Sequence, residues 1–175
     1  SVHDVYVGWV EALRELGQHV VEYNLHDRLN FYSAALAEAG PGKFKKALTN
    51  EQVKELAVNG LYATLYKVQP DVLLVVSGFY IAPDLLKLAR QRGTAVVVVH
   101  TESPYEDERQ LELAEHASMN LLNDPVNIDK YRALGPAVYI PHAYRPTVHH
   151  PGAGPARCDF AFVGTAFASR IEFFE

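Results

Sequence analysis

The sequence predicts an α/β fold built on a Rossmann-like, doubly wound parallel sheet. Short, wholly apolar runs alternate with amphipathic helical segments along most of the chain. Strands that are apolar on both faces belong in a parallel sheet with helices on both sides. Glycine or proline separates many of the segments, as expected where helices and strands end.

The elements follow in a regular order. The first helix begins at Val2, keeps its apolar residues at helical spacing, and ends before Gly17. A short strand is expected at Val20–Leu25. Two helices come next, at Asp27–Glu38 and Asn50–Lys67. The alternation then continues with strands at Asp71–Ser77, Thr94–His100, Ser118–Asn123 and Ala137–Pro141, and with helices at Pro83–Arg92, Glu106–His116 and Val126–Leu134.

The two ends of the chain depart from this alternation. A doubly wound domain normally opens with a strand, yet this chain starts in a helix, so the first strand is expected to be missing. Residues 1–143 are predicted to form the Rossmann-like domain, followed by a linker at 144–157 rich in proline, glycine and histidine. Residues 158–175 are predicted as the first strand and helix of a second domain. The alternative is that they add a last strand to the same sheet.

Composition limits the classes of function. The 175 residues carry a formal charge of −5 without a basic block, which argues against a nucleic-acid partner. The longest apolar runs fall far short of the roughly 20 residues that span a bilayer. The one cysteine, Cys158, excludes an internal disulfide framework and fits a reducing compartment. We therefore expect a cytoplasmic protein without a membrane span.

The segment Thr94–Tyr105, TAVVVVHTESPY, is the strongest functional signal. An apolar strand leads directly into polar side chains, and open α/β sheets bind their ligands at the carboxyl ends of the strands. The alternative is that this polar loop is only the ordinary exit of a parallel strand. The polar side chains of the predicted site are His100, Thr101, Glu102, Ser103 and Tyr105.

Four segments, in this order and spacing, resemble the CgeB-like glycosyltransferases, a family similar to the spore-maturation proteins. The segments are the HTESPY loop, the strand end Asn123-Asp124, YIPHAY at Tyr139–Tyr144, and CDFAFVGTAFASR at Cys158–Arg170. The resemblance covers nearly all of this chain but only about the first half of a complete enzyme. It implies the two-domain glycosyltransferase B fold, with this chain as the first domain and the start of the second.

The resemblance implies transfer of a sugar from a nucleotide-sugar donor to an unknown acceptor, without a metal or other cofactor. The acceptor would bind the first domain, and the donor diphosphate would bind the second. Gly164, Thr165 and Arg170 are the donor-binding candidates, because amides at a helix start and an arginine suit phosphate. Arg170 could instead be a solvated helix residue. The alternative function is a non-catalytic Rossmann-like module that binds a ligand or partner.

Glycosyl transfer to a hydroxyl needs a base near the attacking oxygen, or a group that stabilises the developing positive charge. Glu102 and His100 are the candidate catalytic residues. If the strand geometry persisted, both would point to one side, with Thr101 opposite. The structural alternatives are that His100 hydrogen-bonds a carbonyl at the strand end and that Glu102 caps the following helix.

Other strand ends could complete an acceptor pocket. Gly78 would permit close approach, and the ring of Phe79 could stack on a sugar, although aromatic rings more often pack into a core. The strand-end positions also include side chains that could hydrogen-bond hydroxyl groups. An exposed sheet edge left by a missing strand would allow a homo-oligomer. The substrate-binding candidates are Ser77, Gly78, Phe79, Thr101, Ser103, Tyr105, Asn123, Asp124 and His142.

Overall fold

The computed structural model describes residues 2–150, together with positions 152, 154, 155, 158, 159 and 171–173. The chain divides into two compact units, Ser1–Ala143 and Tyr144–Glu175. The first unit is a mixed α/β structure. Its helices are α1 (Val2–Glu15), α2 (Leu25–Ser33), α3 (Asn50–Val68), α4 (Pro83–Gln91), α5 (Asp107–Ala114) and α6 (Ile128–Arg132). Its strands are β1 (Leu36–Gly40), β2 (Lys43–Lys46), β3 (Val72–Val76), β4 (Ala95–His100), β5 (Met119–Leu122) and β6 (Ala137–Tyr139).

Four parallel strands form the central sheet, in the order β3-β4-β5-β6. The pairing places Val75 beside Val98, Val98 beside Asn120, and Leu122 beside Tyr139. This confirms the predicted parallel sheet flanked by helices, which is consistent with a Rossmann-like fold. Neighbouring strands in the sheet are also consecutive in the chain. The reversal of strand order that defines a doubly wound sheet therefore does not occur among the described strands.

The core lies between one face of this sheet and the helices that cover it. Alternate side chains of β4, Val96 and Val98, are fully buried there, as are Leu85 and Leu86 of α4. Burying one such leucine stabilises the fold by roughly 1.5–3 kcal/mol. The helix α3 joins this core through Leu61 and Leu65, and α1 packs against β3.

The prediction of a strand at Val20–Leu25 is wrong. Residues 18–24 have no regular structure, and α2 already begins at Leu25. Asn24 caps that helix, because its side-chain oxygen accepts a hydrogen bond from the amide of Asp27 at 3.2 Å. The hydroxyl of Tyr23 donates to the carbonyl of Ala57 at 2.6 Å and ties the segment to α3.

The predicted helix at Asp27–Glu38 is right only in its first part. The helix ends at Ser33, and β1 and β2 then form a separate antiparallel hairpin. The chain reverses around Pro41, where Gly40 and Gly42 have φ values of 150° and 69°, which favour glycine. The alanine-rich segment before the turn has helical propensity, and pairing with β2 overrides it.

The second unit is described mainly at residues 144–150. There the carbonyl of Arg145 accepts hydrogen bonds from the amides of Val148 and His149, so this stretch forms turns. Of the strand predicted to start at Cys158, only Cys158 and Asp159 are described, and neither has strand structure. The remainder of that strand, and the donor-binding candidates Gly164, Thr165 and Arg170, lie outside the described residues.

In the part of the chain that the structure describes, we find no helix with the length and apolar character needed to cross a membrane.

Candidate functional site

Five polar residues converge at the carboxyl edge of the central sheet. Each follows the end of one of the four parallel strands, and a chain of hydrogen bonds links them. We call this group the carboxyl-edge cluster. Its members are Ser77 after β3, Thr101 and Glu102 after β4, Asn123 after β5, and His142 after β6.

The backbone at the end of β3 directs Ser77 into this cluster. Its amide still donates to the carbonyl of Val99 at 2.9 Å, which continues the parallel ladder. Ser77 and Gly78 then take left-handed φ values of 64° and 75°, and the chain turns away from the sheet. A Cβ at Gly78 would lie 2.7 Å from Cδ1 of Leu113, so the turn needs glycine there.

The hydroxyl groups form a relay that ends on a carboxylate. Ser77 and Thr101 are hydrogen-bonded through their hydroxyl oxygens. Thr101 donates to Oε1 of Glu102 at 3.4 Å, which is long for such a bond, and Ser77 is therefore the donor to Thr101. Glu102 is half-buried, and most of its acceptor capacity stays open, since an ionised carboxylate accepts at about four positions.

Asn123 connects β4 to His142. Its Nδ2 donates to the carbonyl of Thr101 at 3.2 Å and lies 3.1 Å from Nε2 of His142. An amide turned the other way would place two acceptor oxygens together, so the carbonyl of Thr101 fixes the orientation of Asn123. Because Nδ2 can only donate, Nε2 of His142 is the acceptor in this contact, which corresponds to the tautomer with the proton on Nδ1.

His100 lies apart from the carboxyl-edge cluster. It is fully buried on the helix-covered face, with Nε2 2.8 Å from Oδ1 of Asn120 and its ring centroid 4.7 Å from that of Tyr131. Burial lowers the pKa of His100. The strand geometry that would place His100 and Glu102 on one side does not persist, because β4 ends at His100 and the chain bends before Glu102.

Ser103 belongs to a different group, which we call the buried polar cluster. The hydroxyl of Ser103 donates to Asp107 at 2.8 Å, at the start of α5. Tyr131 and Asn127 also donate to this carboxylate, at 2.9 and 2.6 Å, and the ammonium of Lys130 lies 3.3 Å from it. Four donors therefore surround one carboxylate.

These contacts set the ionisation of the buried polar cluster. Burial raises the pKa of Asp107, but the hydrogen bonds from its four donors outweigh burial, and the pKa lies below its usual value. Burial and the neighbouring carboxylate raise the pKa of Tyr131. Asp107 is thus held as an anion with its lone pairs occupied, and it is unavailable as a base. The sequence analysis missed this cluster, because the donors at the start of α6 and within it follow Asp107 by 20 to 24 residues.

The remaining candidates have separate environments. Tyr105 is 89% exposed. Asp124 accepts a hydrogen bond from the amide of Val126 at 2.8 Å, which shapes the turn before α6. The guanidinium carbon of Arg109 lies 4.4 Å from the ring centroid of Phe79, so one face of that ring is already covered.

Two cavities lie away from the carboxyl-edge cluster. One, of about 480 Å³, lies between α1 and α2, and another, of about 180 Å³, lies beside Gln69 and Arg92. Within the described ranges, no group of three or more histidine, cysteine, aspartate or glutamate side chains is placed to hold a metal ion.

The carboxyl-edge cluster offers two hydroxyls, an amide, an imidazole and a carboxylate, which together suit a ligand rich in hydroxyl groups. No protein-family model, curated protein or solved structure matches this chain.

Proposed function

We propose that the chain is the acceptor-binding half of a glycosyltransferase of the glycosyltransferase B fold. The complete enzyme transfers a sugar from a nucleotide-sugar donor to an acceptor hydroxyl without a metal. One observation carries the proposal, namely that Ser77, Glu102, Asn123 and His142 meet at the carboxyl edge of the parallel sheet. Such edges are where open α/β sheets bind ligands. Sugar hydroxyls both donate and accept hydrogen bonds, as these side chains do.

Glu102 is the base in this proposal. It is the carboxylate of the carboxyl-edge cluster, and the one side-chain hydrogen bond that it accepts from the described residues, from Thr101, is long. A carboxylate with open lone pairs can accept the proton of an acceptor hydroxyl as that oxygen attacks the sugar. Asp107, by contrast, already accepts four hydrogen bonds. His100 is buried and faces the helices, so we give it no role in the reaction.

Asn123 and His142 position the acceptor. The fixed amide of Asn123 holds Nε2 of His142, so the other ring nitrogen of His142 carries a proton and can donate to a ligand hydroxyl. His142 is exposed and can be reached by a ligand without rearrangement of the core. Loss of either side chain should raise KM for the acceptor more than it lowers kcat.

The test is a screen of nucleotide sugars with the complete enzyme, measuring donor hydrolysis and transfer. Glu102→Gln should lower turnover on the order of 10²-fold, the usual contribution of a positioned general base. The matched control is Glu106→Gln, because Glu106 is an exposed carboxylate nearby that pairs with Arg109 at 3.7 Å. Equal rates for wild type and Glu102→Gln would remove Glu102 from the mechanism.

The same screen separates the enzyme from the alternative function. A non-catalytic module with this fold would neither hydrolyse nor transfer any donor, yet it would still bind a polyhydroxylated ligand through the carboxyl-edge cluster. Binding that persists in a complete protein without activity, and weakens in Asn123→Ala, would favour that module over the transferase.

A further inference from the structure

Ser77 has a strained backbone at the end of β3. Its φ is 64°, and the amide of Gly78 donates to the carbonyl of Val76 at 2.9 Å, which closes a three-residue turn around Ser77. A γ-turn with a positive φ at its centre is rare and strained, and a side chain there adds to the strain. Glycine adopts such a backbone without that penalty. The presence of serine at this position therefore needs a reason.

Helix capping does not supply that reason. Among the described residues other than glycine, the second positive φ is 48° at Gln69. Gln69 is the C-cap of α3, and its amide donates to the carbonyl of Leu65 at 3.0 Å, so its backbone follows from the end of the helix. Ser77 follows a strand and ends no helix. Ser77 is also only 4% exposed, so it has almost no surface to offer a ligand directly.

The hydroxyl of Ser77 does have a partner in the carboxyl-edge cluster. A hydroxyl has one proton, and an ionised carboxylate only accepts. Thr101 directs its proton to Oε1 of Glu102, so Thr101 accepts from Ser77. Consecutive hydrogen bonds of this kind polarise one another, and donation by Ser77 strengthens the bond from Thr101 to Glu102. Oε2 of Glu102 accepts no hydrogen bond from the described side chains.

We propose that Ser77 is a positioning residue, which acts through Thr101 to hold Glu102 as the base. This inference rests on the proposed function. The relay occupies Oε1, so the proton of the acceptor hydroxyl passes to Oε2. The acceptor oxygen then forms its bond to the anomeric carbon, and the nucleoside diphosphate leaves with the electron pair of the bond that breaks. Ser77 and Thr101 keep their own protons throughout. Serine is present in the strained turn because glycine would relax the backbone but remove the hydroxyl.

The test compares two substitutions of Ser77 in the complete enzyme. Ser77→Gly and Ser77→Ala both remove the hydroxyl, but only glycine relaxes the positive φ. We expect both to lower kcat on the order of tenfold, because a displaced base loses part of the rate that positioning supplies. KM for the acceptor should stay unchanged, since Asn123 and His142 keep their contact. The urea midpoint of Ser77→Gly should be higher than that of Ser77→Ala.

Substitution of Thr101 tests the middle of the relay. Thr101→Val removes the hydroxyl and should lower kcat on the order of tenfold, whereas Thr101→Ser retains the hydroxyl and should keep the wild-type kcat. Asn123 donates to the backbone carbonyl of Thr101, so neither substitution removes the contact that orients Asn123. A loss in the valine variant that serine restores is not expected if Thr101 only packs against its neighbours.

Two matched controls lie outside the carboxyl-edge cluster. Thr64→Val removes a hydroxyl that donates to the carbonyl of Gly60 at 2.8 Å within α3. Gln69→Gly relaxes the other positive φ at a helix end. Both variants should keep the wild-type kcat, and circular dichroism should show every variant folded.

The outcomes separate the positioning role from the proposed function. If Glu102→Gln lowers turnover while both Ser77 variants keep the wild-type kcat, the positioning role is wrong and the proposed function stands. If kcat falls in Ser77→Gly alone, the turn acts through its stiffness and the positioning role is again wrong. A loss in Thr101→Ser equal to that in Thr101→Val would overturn it too. A complete enzyme that transfers no sugar, or that works equally well as Glu102→Gln, would overturn the assignment of the base and the positioning role with it.

Discussion

Asp107 provides the sharpest test of what stabilises the end of the sheet near α5 and α6. Replacing it by alanine would leave the buried hydroxyl of Ser103 and the amide of Asn127 without this acceptor, and the hydroxyl of Tyr131 with only its long contact to Oε1 of Gln110 at 3.4 Å. Each buried donor left unsatisfied costs roughly 1–3 kcal/mol. The ammonium of Lys130 adds little, because its side chain is 55% exposed and returns to water.

The expected loss for Asp107→Ala is therefore about 3–5 kcal/mol of unfolding free energy. Tyr131→Phe removes one donor and leaves the carboxylate three, so it should cost about 1–2 kcal/mol. Asp129→Ala is the control, because that carboxylate is 91% exposed and pairs with Arg132 on the surface. It should change stability by less than about 0.5 kcal/mol. Urea unfolding followed by circular dichroism measures all three.

The contribution of Asp107 to the free energy of unfolding should depend on pH, and the pKa of Asp107 gives the direction. The pKa of Asp107 lies below its ordinary value of 3.8 in the folded chain, so its stabilisation is complete above that pH. As pH falls below 3.8, the unfolded chain takes up the proton first, and this contribution is lost. The stability difference between wild type and Asp107→Asn should shrink over that interval. If Asp107→Ala cost no more than Asp129→Ala at neutral pH, the assignment of a stabilising cluster would be wrong.

Three further predictions concern other parts of the chain. Burial lowers the pKa of His100 below 6.5, so the unfolded state binds the proton first, and the free energy of unfolding should fall as pH drops below 6.5. Urea unfolding midpoints of the wild type and of His100→Gln, measured at neutral and acidic pH, check this, and an equal fall of the midpoint in both proteins would contradict it. Gly78→Ala should lower the free energy of unfolding by roughly 2–4 kcal/mol, because Gly78 has a left-handed φ and its added Cβ would meet the Leu113 methyl group. Gly135→Ala is the control, because an added Cβ there meets nothing within 4 Å, and it should leave the melting temperature unchanged. Calorimetry should detect no submillimolar binding of uridine or guanosine diphosphate to this chain, because the proposed donor site lies largely in the other half of the proposed enzyme. Submillimolar binding would place the donor site in the first unit.

The central sheet was predictable because the apolar pattern of each strand lies within a short stretch of sequence. The strands β3 and β4 are continuous apolar runs, and glycine or proline marks their ends. The hairpin was not, because β1 consists of residues with helical propensity that pair with residues across a turn. A sequence window that ends at Glu38 contains no sign of the partner strand, and long-range pairing decided the outcome.

The candidate site was predictable in position and only partly in detail. Strand ends located Ser77, Thr101, Asn123 and His142 at one edge, which follows from parallel pairing alone. Which side chains face the crevice depends on the residue at which β4 stops, and periodicity fixes such boundaries poorly. For this reason His100 was grouped with Glu102, although it faces the core.

The chain also carries a natural pair of spectroscopic labels. Its single tryptophan, Trp9 on α1, belongs to the first unit, and its single cysteine, Cys158, is exposed in the second. A thiol-reactive acceptor dye would attach at one position, and the indole would be the sole tryptophan donor. Energy transfer between them can therefore report the separation of the two units, and its response to candidate substrates, without any substitution in the protein.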